Sequence, residues 1–165
     1  MRAEILELIN RMWDEKKIEG PVLDVGSAET GYQKAQGYDF RKMFTDRGLV
    51  YEATDIREDV GIDFVGDFAT LDLGKKYKTI LCTEMLEHVD DPVAVVENCR
   101  KHLVQGGYIL ITVPDIYPVH SAKDCWRFTE CGTKNLCRKF EPIEFGNFGK
   151  EETRNFEHYF IGRKL

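Results

Sequence analysis

The stretch that most constrains this chain is residues 77–114, YKTILCTEMLEHVDDPVAVVENCRKHLVQGGYILITVP. It reads as strand, loop, helix, turn, strand. Thr79, Ile80, Leu81 and Cys82 form a short run that ends in polar residues. Asp91 is placed to cap a helix, and Pro92 falls at the first helical position, where a missing N–H costs nothing. Val93, Val96 and Leu103, with Cys99 between them, make one apolar stripe at helical spacing. Gly106 and Gly107 are predicted to stop the helix in left-handed capping positions. Residues 108–113 (YILITV) are almost unbroken apolar, as a strand covered on both faces requires. The order defines a βαβ unit. Its loop, residues 83–90, leaves the carboxyl end of the first strand, where open α/β sheets bind ligands.

The remaining segments fall around that unit. Residues 1–17 read as an amphipathic helix with Ile5, Leu8, Ile9 and Met12 on one face and Trp13 beside it. It is expected to pack across the sheet; a lid or a dimer contact is the other use of that face. Residues 21–27 (PVLDVGS) read as the first strand and its exit. Gly26, Ala28 and Gly31 then form a G-x-A-x-x-G, weak alone but meaningful after a strand, where a turn without side chains lets backbone N–H groups approach a ligand. A plain strand-to-helix turn is the alternative. Residues 33–48 are the least patterned. A short helix carrying Phe40, Met43 and Phe44 inward fits, and Gly37 argues against a long helix from Thr30. Tyr38 and Arg41 face either the pocket or, more simply, solvent.

Residues 50–56 (VYEATDI) read as the second strand, with Asp55 at its end. A carboxylate there can accept hydrogen bonds from both hydroxyls of a ribose, or it is a surface-turn aspartate. The spacing from Gly26 exceeds the roughly 20 residues of the dinucleotide fingerprint, which disfavours a nicotinamide enzyme. Residues 61–67 give a third short strand, followed by Phe68. Residues 140–148 and 156–164 read as two closing strands.

At 165 residues the chain suits one domain, residues 1–165, with the helix of residues 1–19 packed on it. A net charge of −6 argues against a broad nucleic-acid or anionic-membrane surface. No apolar run reaches the length of a membrane span and no signal-peptide pattern opens the chain, so a cytoplasmic location is expected. The five cysteines include no C-x-x-C pair and are expected to be free, buried thiols. Cys125, Cys131 and Cys137 recur every six residues, which is not a zinc spacing.

TEMLEHVDDP, a helix, HLVQGGYILITVPD and the later HSAKDCWRFT together resemble the class I S-adenosylmethionine-dependent methyltransferases, nearest their small type 11 group. The resemblance runs from about Pro21 to the C-terminus. It implies a Rossmann-like, doubly wound α/β fold: a mostly parallel seven-stranded sheet, one strand near the C-terminus antiparallel, helices on both faces. It implies that Asp24 helps hold the cofactor's amino group and that Gly26, Ser27 and Ala28 pass under its methionine and ribose parts. Asp55, with Ile56, would hold the ribose, and Asp67 the adenine amino group. Phe68 would meet the adenine ring or belong to the core. Backbone at Thr83 and Glu84 would lie beside the sulfonium. Here Ala28 and Thr30 stand where the family's turn is richer in glycine.

Carboxylates at Glu84 and Glu87 suit a cationic cofactor. His88, with His120, is the candidate general base, since imidazole works near neutral pH; alternatively His88 bonds loop backbone. Tyr117, Asp124 and Arg127 are expected to shape the acceptor side, with Trp126 as a second flat wall. Arg127 could instead anchor carbonyls and a carboxylate. Glu84 and His88 lie four apart but lack a third ligand of clear spacing, so no metal is expected.

Methyl transfer from a sulfonium is an in-line displacement on an activated electrophile, so positioning dominates, worth roughly 7–11 kcal/mol in favourable cases. The expected activity is transfer from S-adenosylmethionine to oxygen or nitrogen of a small-molecule or sugar-like acceptor, leaving S-adenosylhomocysteine. A homodimer or partner subunit completing the acceptor site would fit so short a chain. The alternatives are a non-catalytic cofactor-binding relative serving as partner or sensor, and, weakly, a nicotinamide-dependent oxidoreductase.

Overall fold

Seven strands lie side by side in the order β3-β2-β1-β4-β5-β7-β6. The structure, a computed structural model, describes residues 3–28 and 39–165. Its elements are α1 (Ala3–Asp14), β1 (Val22–Val25), α2 (Phe40–Thr45), β2 (Tyr51–Asp55), β3 (Phe64–Val65), β4 (Tyr77–Thr83), α3 (Pro92–His102), β5 (Leu103–Ile116), α4 (Glu130–Leu136), β6 (Glu141–Lys150) and β7 (Asn155–Arg163). Strands β1 to β5 pair in parallel, while β7 runs antiparallel to both β5 and β6. This is the doubly wound arrangement expected.

Alternation along the strands divides the core in two. Leu23, Val25, Ile80, Cys82, Ile109, Ile111 and Val113 point to one face, where they meet Val95, Val96 and Cys99 of α3. Val22, Leu81, Leu110 and Ile161 point to the other, against Ile5, Leu8, Ile9 and Met12 of α1 and Phe40 and Phe44 of α2. Each fully buried aliphatic chain contributes roughly 1.5–3 kcal/mol, which is why the central strands read as continuous apolar runs.

The start of α3 is built as its sequence requires: the Asp91 carboxylate accepts the Ala94 N–H at 2.9 Å, and Pro92 takes the first position. Its face and end differ from expectation. Val96 and Cys99 are buried as expected, but Val93 is 55% exposed, and Pro92, Val95, Asn98 and His102 are buried besides. The helix stops at His102 because Leu103 turns extended (φ −77°, ψ 143°) and pairs with Tyr77 to open β5. Gly106 (φ 78°) therefore belongs to an irregularity in the strand pairing and not to a helix cap. At Gly107 a Cβ would stand 2.9 Å from the Lys78 carbonyl oxygen, so the close strand approach demands glycine. Buried His102 uses both ring nitrogens: Nδ1 faces the Asn98 carbonyl at 2.9 Å and Nε2 accepts the Leu73 N–H at 3.1 Å.

All five cysteines are free; Cys82, Cys99 and Cys137 are buried, but Cys125 and Cys131 are exposed, against the expectation for those two. No helix among the described residues is long and apolar enough to cross a membrane. Parallel pairing brings the carboxyl ends of β1 to β5 to one edge of the sheet.

Candidate active site

At that edge, β1 ends in Asp24 and Val25, and the chain turns at Gly26. Gly26 is left-handed (φ 79°), and a Cβ there would sit 2.3 Å from Met85 Cγ, so no side chain fits. The turn is laced to two carboxylates. Asp24 Oδ2 accepts the Ser27 hydroxyl at 2.9 Å and the Tyr51 hydroxyl at 2.7 Å. Asp55 Oδ2 accepts the Ala28 N–H at 2.9 Å, and its Oδ1 accepts the Arg57 N–H at 2.9 Å. Both aspartates are buried, and both follow from strand pairing that sets β1 beside β2. Burial pushes the Asp24 carboxyl up to about 6, helped by the charge of Asp55 and opposed by the hydroxyls of Tyr51 and Ser27. Ile56, next to Asp55, is 63% exposed and offers an apolar surface at the rim. Asp67 lies just beyond β3, exposed, its Oδ1 accepting the Ala69 N–H at 2.9 Å.

The Phe68 ring is buried in the core and tilts against His102 at 5.6 Å, so of its two readings the core one describes the ring. The Phe68 carbonyl is taken by the Asn98 amide. Thr30 and Gly31 of the glycine turn, with Gly37 and Tyr38, lie outside the described residues. Arg41 does not face the edge: it spans the Tyr51 and Gly61 carbonyls and the Asp63 carboxylate.

The end of β4 supplies the next wall. Thr83 is half-buried, and Glu84 is left-handed (φ 51°), a conformation that costs a non-glycine residue of order 1 kcal/mol. Thr112 of β5 holds it there: Glu84 N–H reaches Thr112 Oγ1 at 3.1 Å, and the Thr112 hydroxyl donates to Glu84 Oε1 at 2.7 Å. A single helical turn, Leu86–His88, then aims Glu87 and His88. Glu87 is buried and its Oε2 lacks a hydrogen-bond partner. Burial first, and Glu84 next, push its carboxyl up to about 8. Burial holds half-buried His88 below the usual histidine range.

The loop after β5 closes on this turn. His88 Nε2 and His120 Nε2 stand 3.2 Å apart. His120 Nδ1 lies 2.8 Å from Asp124 Oδ2, and the Tyr117 ring meets the His120 ring edge-on at 5.5 Å. Arg127 donates to both Asp124 oxygens, at 2.5 and 2.8 Å, and to the Tyr117 carbonyl at 3.0 Å. Its guanidinium holds the Asp124 carboxyl down at about 2. The Asp124 side chain is fully buried and bonded throughout by its own loop, where it holds His120 and Arg127 in place. Tyr117 and Arg127 do line a cavity of about 310 Å³, with Ile116 and Pro118. Trp126 Nε1 donates to the Val89 carbonyl, fastening the loop to the residues before α3. A cavity of about 480 Å³ at the opposite, amino-end edge is walled by Lys75, Lys76 and Lys101 and lies away from these groups.

Sequence reading missed Tyr51, Thr112 and Met85, whose roles come from strand register. Nothing in their spacing marks them apart from ordinary strand and loop residues.

The family described as "Methyltransferase domain" matches residues 1–142. The chain belongs to this methyltransferase family. Among curated relatives, the ubiquinone biosynthesis O-methyltransferase of Paraburkholderia phytofirmans is 32% identical over 79 residues, 44% of this chain and 34% of that protein. Its counterpart in Nitrosomonas europaea is 26% identical over 80 residues, 45% of this chain and 34% of that protein. The aligned stretch spans about a third of the length of these curated relatives. Among solved structures, N-methyltransferase NodS from Bradyrhizobium japonicum, in complex with S-adenosyl-L-homocysteine, superposes with a TM-score of 0.69 at 13% identity, covering 98% of this chain and 86% of that one. The 1,6-didemethyltoxoflavin-N1-methyltransferase of Burkholderia thailandensis, with bound 1,6-didemethyltoxoflavin and S-adenosylhomocysteine, gives 0.67 at 20% identity, covering 87% and 70%. The class I methyltransferase fold is thus shared by this family member and by structures of low sequence identity.

Proposed function

We propose that this chain transfers a methyl group from S-adenosylmethionine to oxygen or nitrogen of a small-molecule acceptor. The observation that carries the reading is the pair of buried carboxylates at adjacent strand ends, Asp24 and Asp55, both tied to the turn at Gly26. Asp24 would face the cofactor's ammonium and Asp55 its ribose hydroxyls, with Ser27 and Ala28 beneath. Ile56 and the backbone at Phe68 would flank the adenine, and Asp67 would accept from its amino group. Thr83 and Glu84 would border the sulfonium. The names of the curated relatives and of the superposing structures support a small acceptor.

On the acceptor side, Tyr117 and Arg127 line the cavity, and the two histidines stand at the loop between it and the β4 end. His120, oriented by Asp124, presents Nε2 as a base for an acceptor that must lose a proton, worth about 10²–10⁴-fold. His88 would assist from across the 3.2 Å gap. The five free cysteines suit a reducing, cytoplasmic setting.

Calorimetric titration with S-adenosylhomocysteine tests the cofactor half. One-to-one binding is expected, weakened roughly tenfold or more by Asp55→Ala through loss of charge-assisted hydrogen bonds. Absence of binding to the wild-type chain would refute the reading. Repeated turnover of S-adenosylmethionine on a panel of hydroxyl and amine acceptors tests the other half; cofactor binding without turnover on any acceptor would favour a non-catalytic relative.

A further inference from the structure

We infer that Glu87, His88 and His120 form a binding site for a divalent first-row transition cation, of the zinc class, beside the methyl-transfer crevice. One ligand atom from each of the three lies within 4.8 Å of the other two. Spacing along the chain hides the set, because His120 comes 32 residues after His88 and meets it only when the loop after β5 folds back.

The hydrogen bonds assign the imidazole tautomers. His88 Nδ1 faces the Lys123 carbonyl at 3.2 Å and Ser121 Oγ at 3.4 Å, so it carries the proton and donates. His120 Nδ1 faces Asp124 Oδ2 at 2.8 Å and donates likewise. Each neutral ring is thereby left with a bare lone pair on Nε2, and these two lone pairs converge at 3.2 Å. Facing each other at that distance, they are matched by a shared proton or by a cation. Two imidazoles on one ion, at about 2.0–2.1 Å each, place their nitrogens about 2.9–3.4 Å apart in octahedral or tetrahedral geometry.

Glu87 adds the second, independent observation. Its side chain is 1% exposed, Oε1 lies 3.6 Å from His88 Nε2, and Oε2 is buried without a hydrogen-bond partner. A buried carboxylate oxygen left unpaired is costly unless a charge satisfies it. The outer groups also match: a ligating histidine donates its other N–H to a carbonyl or carboxylate, here Lys123 and Asp124, and Arg127 holds Asp124 in turn. The His120 side chain is 41% exposed, so its ring has room to close on an ion. Two imidazoles and one carboxylate favour zinc, cobalt or manganese over magnesium or calcium, and three protein ligands leave a position open. That position would take water or an acceptor oxygen, whose proton the ion itself would acidify, so with the cation bound this replaces the base role given above to His120 Nε2; this role rests on the methyltransferase reading, whereas the site itself does not.

The test uses the full chain in a Cys125→Ser, Cys131→Ser background, stripped with chelator, because both thiols are exposed and would compete for the probe. Titration with Co²⁺ alone is expected to give visible ligand-field absorption saturating at one equivalent, displaced by Zn²⁺. His88→Ala and His120→Ala should each weaken binding roughly tenfold or more, with metal-free melting temperatures close to the parent's. Glu87→Gln should do the same if it folds; the exposed His120→Ala variant decides the matter if it does not. No cobalt band up to about 1 mM, or equal binding by parent and both histidine variants, overturns the site, leaving a shared proton between the rings. S-adenosylhomocysteine binding on the same samples separates the two readings. Cofactor binding without cobalt binding removes only the cation site, and cobalt binding without cofactor binding removes only its role in methyl transfer.

Discussion

At the scale of single residues, the crevice depends on atoms that leave no room for change. Gly26 combines a left-handed backbone with the Met85 side chain where a Cβ would go. Gly26→Ala is expected to destabilise the fold by about 2–3 kcal/mol, part strain and part overpacking. In a Met85→Ala background the same change should cost only the backbone part, about 1 kcal/mol. Urea unfolding of the four proteins measures the coupling, and strictly additive effects would show that the contact is not felt. Tyr51 is the second such residue. Its hydroxyl donates 2.7 Å to buried Asp24, so Tyr51→Phe removes a hydrogen bond from a group that water cannot easily reach. A loss of about 1–3 kcal/mol in urea unfolding is expected. Ser27→Ala, at a half-buried position open to replacement by water, should lose less.

At the scale of elements, α3 separates what a sequence states from what it leaves to packing. Its start rests on local chemistry: Asp91→Ala should cost about 1 kcal/mol in urea unfolding by orphaning the Ala94 N–H, and a loss near zero would mean that water caps the helix equally well. The same locality made the positions of Asp24 and Asp55 at the ends of β1 and β2 legible, since run length and alternation place them without any knowledge of neighbours, whereas the third strand, expected over residues 61–67, is only Phe64–Val65 and leaves Asp67 two residues beyond it. The helix's end was not legible, because Leu103 leaves the helix to pair with Tyr77, a contact between residues far apart in the chain. Gly106 and Gly107 looked like caps because close strand approach and helix termination call for the same residue. Of the buried face, Val96 and Cys99 were legible and Val93 was not, for a similar reason: Val93 lies exposed at the helix's N-terminal end, and His102 fills a buried position by bonding its two ring nitrogens to Asn98 and Leu73. In the site, Glu87 passed for one more loop carboxylate. Its burial arises from the turn at Leu86–His88 and from the returning loop, where the Cys125 N–H binds the Glu87 carbonyl.

At the scale of the whole molecule, stability and ligand binding meet in Asp24. Its folded carboxyl titrates at about 6, above the ordinary value of 3.8, so between those two values the folded state binds more protons than the unfolded one. Stability from this group is therefore greatest below about 4, declines as pH rises, and is flat above about 6, a fall of roughly 3 kcal/mol. Glu87 has the same sign over a window reaching about 8, and Asp124, held at about 2, has the opposite sign: its contribution is present above about 4 and is lost as pH falls through about 2. The Asp24 share is thus read as a difference, with urea unfolding of Asp24→Asn expected to lack that part of the decline. The proposed cofactor carries an ammonium that favours the ionised carboxylate, so binding should recover part of what burial costs. Affinity for S-adenosylhomocysteine is then expected to be level above about pH 6 and about tenfold weaker at pH 5, with proton release on binding near pH 6. Asp24→Asn should bind more weakly at neutral pH and lose that dependence. Calorimetry at several pH values, in buffers of differing ionisation enthalpy, measures both quantities. Parallel pH curves for wild type and Asp24→Asn would place the ammonium elsewhere and leave the buried aspartate as a fold element alone.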